Sequence, residues 1–408
     1  MQRRNFLGGV AAGLGLLAVP RDSRAEAAQQ RFLLIVFAQG AWDVTYALDP
    51  KQAPGCDVPA GKVTSYGHGI KVLTDPSRPS VGNFFAANAS RCAVVNGLWI
   101  GSVAHAPARI RVLTGTRSER NPDVGAIFAA SAAEKQPSLP LPYVDLGGGA
   151  YAGPLASVMG RVGSTNQLVT LIDRKKAFRG ASEPVVLADA EQAALAEFAA
   201  RRAGAAAQGP GGAALASYTS SLGRAATLRR DPQLRGMSVG KATTLAQQGA
   251  LAVELFRGGV ASAAYLDSRL DWDTHDDIAD QGTSHEQLFA ELTEIANKLA
   301  AAGLLERTTV AVLSEFSRTP KLNDQAQPGK DHWPVTSALL FGGGVRAGSY
   351  GATDEGLGAL RVRMDDGTPA DTGRLLQFDN FAAGLLEFMG VSSKRWIANA
   401  EPFHGPFV

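Results

Sequence analysis

Residues 31–40, RFLLIVFAQG, form an unbroken apolar run closed by glycine. A strand buried on both faces of a parallel sheet has this form. Six further runs read the same way: CAVVNGL (92–98), LPYVDLGG (141–148), QLVTLI (167–172), VASAAYLD (260–267), TTVAVLSEF (308–316) and TSALLFGGG (336–344). Helical patterns lie between several of them. In SHEQLFAELTEIANKLAAAGLLE, Leu288, Leu292, Ile295 and Leu299 mark one face, and Ser284 with Gln287 fits a capping box at its start. Strand–helix alternation predicts an α/β fold with a mostly parallel sheet. Residues 187–256 break the alternation, being Ala-rich and strand-poor, with QGPGG at 208–212. They read as helices packed on the sheet, or as a helical cap, with a loop at the Gly-Pro cluster. From about Thr353 to Asp371 the chain is Gly- and Asp-rich, as turns or a short hairpin would be, and QFDNFAAGLLEFMG (377–390) reads as a C-terminal helix ended by Gly390.

The first residues follow a different pattern. QRRNFLGG leads into VAAGLGLLAV and then RDSRAEA, the charged, apolar and small-residue parts of an export signal, with a cleavage site at Ala25-Glu26-Ala27. Arg3-Arg4 followed by Asn5-Phe6-Leu7 looks like a twin-arginine signal. The apolar run is short for a membrane span, although an uncleaved anchor is the competing reading. The expected organisation is a signal over residues 1–27 and one α/β domain over 31–408. The expected location is the periplasm or the exterior, with no membrane span after cleavage.

Composition narrows the function. The chain has 408 residues and a net charge of +2, without the basic patch that a nucleic-acid partner would require. Cys56 and Cys92 are the two cysteines, too few for a thiolate metal site; they could pair in an oxidising compartment or remain as buried thiols.

The polar residues gather beside the predicted strands. Asp43 follows the glycine ending the first run. Asp271, Asp273 and His275, in DWDTH, follow VASAAYLD, and His285 lies just beyond. Glu315 ends TTVAVLSEF, Asp331-His332 precede the last run, and His105 follows CAVVNGL. Ligands of open parallel sheets bind beyond the carboxyl ends of the strands, and four of the six histidines fall in or beside such loops. Carboxylate and imidazole donors without thiolates suit a divalent metal: Zn²⁺, Ca²⁺, Mg²⁺ or Mn²⁺. In SEFSRT, a structural ion pair between Glu315 and Arg318 is the plain alternative.

The strings AQGAWD, DWDTH, SEFSRT, GKDHWP and GGGVRAG, in this order, resemble the bacterial family called domain of unknown function 1501. That family in turn resembles the alkaline phosphatase and sulfatase superfamily, which implies a doubly wound α/β core with helices on both faces and a metal centre at one edge. The resemblance makes Asp43 the metal ligand of the first strand. It makes Asp273 and His275 a later ligand group, with Asp271 in competition, and Asp331-His332 an adjacent pair. His285 and Glu315 are weaker candidates. HAPARIRVLTG (105–115) is similar to the sulfatase segment that carries the catalytic cysteine, with His105 in the cysteine's place and Arg109 matching its arginine. His105 is then a nucleophile, a metal ligand or an oxyanion donor, and Arg109 an anion-binding group one helical turn away.

The implied activity is metal-dependent hydrolysis of phosphate or sulfate esters on a small anionic molecule or a glycan. The competing function is a non-catalytic member of the fold that binds an envelope partner or an anionic glycan.

Overall fold

The computed structural model describes residues 30–161, 187–206, 209, 211–230, 242–324 and 326–407. The N-terminal segment and the run at 167–172 lie outside the described residues. The core is an eight-stranded sheet. Its spatial order is Gly348–Gly351, Cys92–Trp99, Val335–Gly342, Thr308–Leu313, Phe32–Phe37, Ala263–Asp267, Tyr143–Asp145 and Met159–Arg161. Every pairing is parallel except the two that Val335–Gly342 makes with its neighbours. That one strand therefore runs against the other seven.

The apolar runs are continuous because both faces of the sheet are covered. In the first strand Phe32, Leu34 and Val36 enter one core, while Leu33, Ile35 and Phe37 enter the other. Val310 and Val312 against Ala311 and Leu313 repeat the alternation, as do Leu339 and Phe341 against Ala338 and Leu340. Phe84, Phe256, Leu288 and Leu292 cap the first core from the helices Pro79–Asn88, Leu245–Arg257 and Asp280–Ala301. The second is closed by Val112, Ile127 and Phe381 from His105–Thr114, Val124–Lys135 and Phe378–Phe388. The α/β class, the mostly parallel sheet and the helices on both faces agree with the sequence reading.

The described part of 187–256 is helical, as Asp189–Ala206, Gly212–Arg230 and most of Leu245–Arg257. One start differs from expectation. The long helix begins at Asp280, so Ser284 is not its cap; the Ser284 hydroxyl instead donates to the Asp271 carbonyl at 2.7 Å. Cys56 and Cys92 are free, buried thiols. Among the described residues no helix is long and apolar enough to cross a membrane.

The antiparallel strand decides the layout of the site. Loops that follow parallel strands emerge at their carboxyl ends. The loop that precedes Val335–Gly342 emerges at that same edge because this strand points the other way. Residues after Phe37, Trp99, Asp267 and Leu313, and those just before Val335, thus share one rim.

Candidate metal centre

His105 opens the helix His105–Thr114 after a loop of five residues from the strand ending at Trp99. Pro107 sits in the first turn, where its missing N–H would have no helical acceptor. Gly115 ends the helix at φ 65°, and a side chain there would meet Ile397 and Ala382. This helix turns His105 inwards. Its Nδ1 faces Glu315 Oε1 at 2.8 Å. Its Nε2 is buried with no hydrogen-bond partner among the described residues, 3.4 Å from Asp273 Oδ2.

Two further imidazoles are held in the same way. His275 Nδ1 lies 3.0 Å from Asp331 Oδ1, and His332 Nδ1 lies 2.8 Å from the Val103 carbonyl. A carbonyl can only accept, and an ionised carboxylate only accepts, so each Nδ1 carries the proton. In the neutral ring each Nε2 is then a lone pair. The Nε2 atoms of His275 and His332 stand 3.0 Å apart, and Asp273 Oδ1 lies 3.2 and 3.1 Å from them. His105, Asp273 and His332 each bring a donor atom within 4.8 Å of the other two.

Lone pairs and a carboxylate gathered this closely repel one another unless a cation lies between them. A tetrahedral ion with bonds of about 2.0–2.1 Å requires donor atoms about 3.3 Å apart. The closest spacings here run from 3.0 to 3.4 Å. Outward N–H groups held by carboxylates or carbonyls are the usual support of histidine ligands. The unpartnered His105 Nε2 is therefore accounted for, and the residues fit a metal ion.

The electrostatics agree. Burial opposes the charged form of Asp273, but the hydrogen bond and the charge of Arg318 hold the carboxyl well below its usual range. The Glu315 hydrogen bond raises His105, and the His275 hydrogen bond lowers Asp331. Phe316 is fully buried and supports two of the rings, 5.0 Å from His105 and 4.5 Å from His332 between centroids.

The remaining sequence candidates fall around this cluster. Glu315, fully buried, shares Oε1 between His105 and the Gly40 amide, so it supports a donor without being one. It does not pair with Arg318, which bonds carbonyls and Asp273 instead. Asp331 likewise stands behind His275. Asp271 is exposed and accepts from the Asp273 amide at 3.3 Å. Asp43 is not brought to the cluster. Its Oδ1 accepts from the Thr45 amide and hydroxyl, and its Oδ2 from Lys330 Nζ at 2.7 Å, so protein donors occupy both oxygens. His285 is buried among Trp42, Tyr46 and Trp272 and donates from Nε2 to the Asp43 carbonyl. Burial pushes its pKa down to about 4. Arg109 donates from Nε to Tyr151 Oη at 3.0 Å and from Nη1 to Gln39 Oε1 at 3.1 Å.

The family of proteins of unknown function DUF1501 matches this chain over residues 33–366. The chain belongs to that family. A comparison with curated proteins finds no match. Among solved structures, this DUF1501 member is similar to a protein in the alkaline phosphatase superfamily from Vibrio parahaemolyticus, with TM-score 0.42 and 9% identity over 91% of this chain and 69% of that one. It is similar to the PsFucS1 sulfatase from Pseudoalteromonas sp., with TM-score 0.40 and 10% identity over 91% of this chain and 70% of that one. It is also similar to the phosphonate monoester hydrolase of Agrobacterium radiobacter, with TM-score 0.35 and 12% identity over 91% of this chain and 78% of that one.

Sequence reading missed four contributors in this DUF1501 chain: Phe316, Lys330, Gln281 and the Val103 carbonyl. Phe316 and Lys330 lie inside the motifs, but nothing in their spacing announces a ring support or a buried ammonium. Gln281, which accepts from the Asp43 amide and donates to the Trp272 carbonyl, lies ahead of the amphipathic pattern that starts at Ser284, although the helix itself begins at Asp280. A backbone carbonyl has no sequence signature at all.

Proposed function

We propose that this chain is an exported protein that holds a divalent transition-metal ion and hydrolyses phosphate or sulfate esters of a small anionic molecule or a glycan. The observation that carries the reading is the convergence of His105, His275 and His332 Nε2 on the Asp273 carboxylate, with every Nδ1 bonded outwards. A donor set of three imidazoles and one carboxylate favours Zn²⁺, Mn²⁺ or a similar ion over Ca²⁺ or Mg²⁺, which take oxygen ligands. Such an ion, when bound, supplies positive charge to the ester oxygens and the leaving group.

The chain's own residues do the rest. Arg109 keeps Nη2 without a protein partner among the described residues, which leaves a charged donor for an ester oxyanion. Glu315 holds His105 in the tautomer that turns the Nε2 lone pair inwards, and the grouping of that atom with Asp273 and His332 donors is what supports a ligand role for His105. None of the hydrogen bonds of the four donor residues comes from a serine, threonine or cysteine side chain among the described residues. The reading is therefore direct attack of water: a new bond from its oxygen to phosphorus or sulfur forms as the ester bond breaks, and a proton given up by the water is taken by the leaving oxygen, which departs as the alcohol.

The test is turnover of aryl phosphates and aryl sulfates by protein reconstituted with Zn²⁺ or Mn²⁺. Turnover should disappear with chelation and in His332→Ala. That no serine, threonine or cysteine side chain bonds the four donors among the described residues also favours the second reading, a metal-bearing protein that binds anionic esters without cleaving them. Metal uptake with no turnover of either ester class, alongside measurable binding of them, would establish that reading instead. Export rests on Arg3-Arg4, and replacing both by lysine should retain the precursor in the cytoplasm.

A further inference from the structure

Three of the segments at the rim are residues 39–43, 268–275 and 329–332. His332 pairs with Arg318 in a short antiparallel ladder, and 39–43 and 268–275 follow paired strands, but among the described residues no ladder joins the three segments directly to one another. A single fully buried side chain touches all three. Arg318 donates from Nε to the Ala41 carbonyl at 2.9 Å and from Nη1 to the Lys330 carbonyl at 3.0 Å. Its Nη2 reaches the Gly40 carbonyl at 2.5 Å, the Trp272 carbonyl at 2.8 Å and Asp273 Oδ1 at 2.6 Å. Ala41 stands at φ 71°, a left-handed conformation unfavourable for a residue with a side chain, and its carbonyl is held by Arg318 and by Gln281.

We propose that Arg318 is the positioning residue of this centre, a buried guanidinium that sets the three loops in register and orients the Asp273 carboxylate towards the imidazoles. It touches neither substrate nor reacting atoms. The role requires a rigid, forked, permanently charged donor. Lysine carries the charge but has three donors on one nitrogen, too compact to reach acceptors on three loops at once.

As far as it concerns metal, the inference rests on the reading of the cluster as a metal centre. Arg318→Lys keeps the charge and removes the fork. Zn²⁺ affinity, measured by competition with a chromogenic chelator, should fall about 10–100-fold, the usual effect of losing a group that orients a ligand. In the metal-free variant, amide exchange should speed up in 268–275 and 329–332 while the sheet strands keep their protection. A merely structural arginine would lower stability and leave affinity within twofold of wild type, and that result would overturn the proposal.

Should Arg318→Lys not fold, selectively labelled wild-type protein carries the test. The Arg318 Nε–H signal should be slow to exchange and should shift as Zn²⁺ is titrated, and an unshifted signal during uptake counts against it. If wild-type protein takes up no Zn²⁺, the metal reading fails. The organising role of Arg318 is then decided by exchange in the metal-free variant, unchanged loop exchange overturning it.

Discussion

Asp43 and Asp273 start from comparable places and end in opposite roles. Each follows a parallel strand at the same edge of the sheet, and each matches a ligand position by resemblance. Asp43 is fully buried and bonded to Lys330 and Thr45. Asp273 is half-exposed and faces three imidazoles. The histidines divide in the same way. His285 lies in an aromatic enclosure, while the Nε2 atoms of His105, His275 and His332 each lie within 3.4 Å of an oxygen of the Asp273 carboxylate. Position along a strand brings a side chain to the rim; the partners that reach it from elsewhere in the chain decide what it does. Lys330 immediately precedes Asp331-His332, so one short loop supplies both the ammonium that occupies Asp43 and a donor to the cluster.

The largest expected effect breaks the comparison on the buried side. Asp43→Asn leaves the Lys330 ammonium without its counter-ion, which should cost about 3–5 kcal/mol in denaturant unfolding. Metal uptake should persist. Retained stability with lost metal would exchange the roles of the two aspartates.

The next effect depends on pH. His285 has a pKa of about 4 in the folded chain against 6.5 for the free group, chiefly through burial. Below pH 6.5 the unfolded chain takes up a proton that the folded chain refuses until about pH 4. The contribution is therefore whole above the upper value and is lost as pH falls to the lower one, by about 3 kcal/mol in all. Unfolding measured across this window should show the loss in wild type and a flatter profile in His285→Phe.

On the Asp273 side of the comparison, Glu315→Gln keeps the shape of the group that holds His105 but removes its charge. Metal affinity should fall about 10–100-fold. An unchanged affinity would mean that His105 is not among the donors. The smallest effect belongs to Asp271→Asn. Among the described residues this exposed carboxylate accepts from the Asp273 amide alone, so affinity by the same competition assay should change less than about threefold, as for an ordinary surface substitution.

Much of this architecture was legible along the chain. Runs such as RFLLIVF and TTVAVL must be hidden from water on every side, and their short length and β-branched content favour strands covered on both faces. The alternation of those runs with amphipathic helices determined the α/β class. The short polar strings beside the run ends marked the residues that could carry chemistry. HAPARIRVLTG announced a helix with His105 and Arg109 on one face.

Tertiary structure decided the rest. Only pairing with both neighbours sets the direction of Val335–Gly342, and that direction brings His332 to the rim with His105 and Asp273. Only packing shows that Lys330 reaches Asp43, that Glu315 and Asp331 stand behind imidazoles, and that Arg318 gathers carbonyls from three loops. Periodicity reports which faces avoid water. Which charges and lone pairs meet depends on contacts between residues hundreds of positions apart, and no local pattern records those.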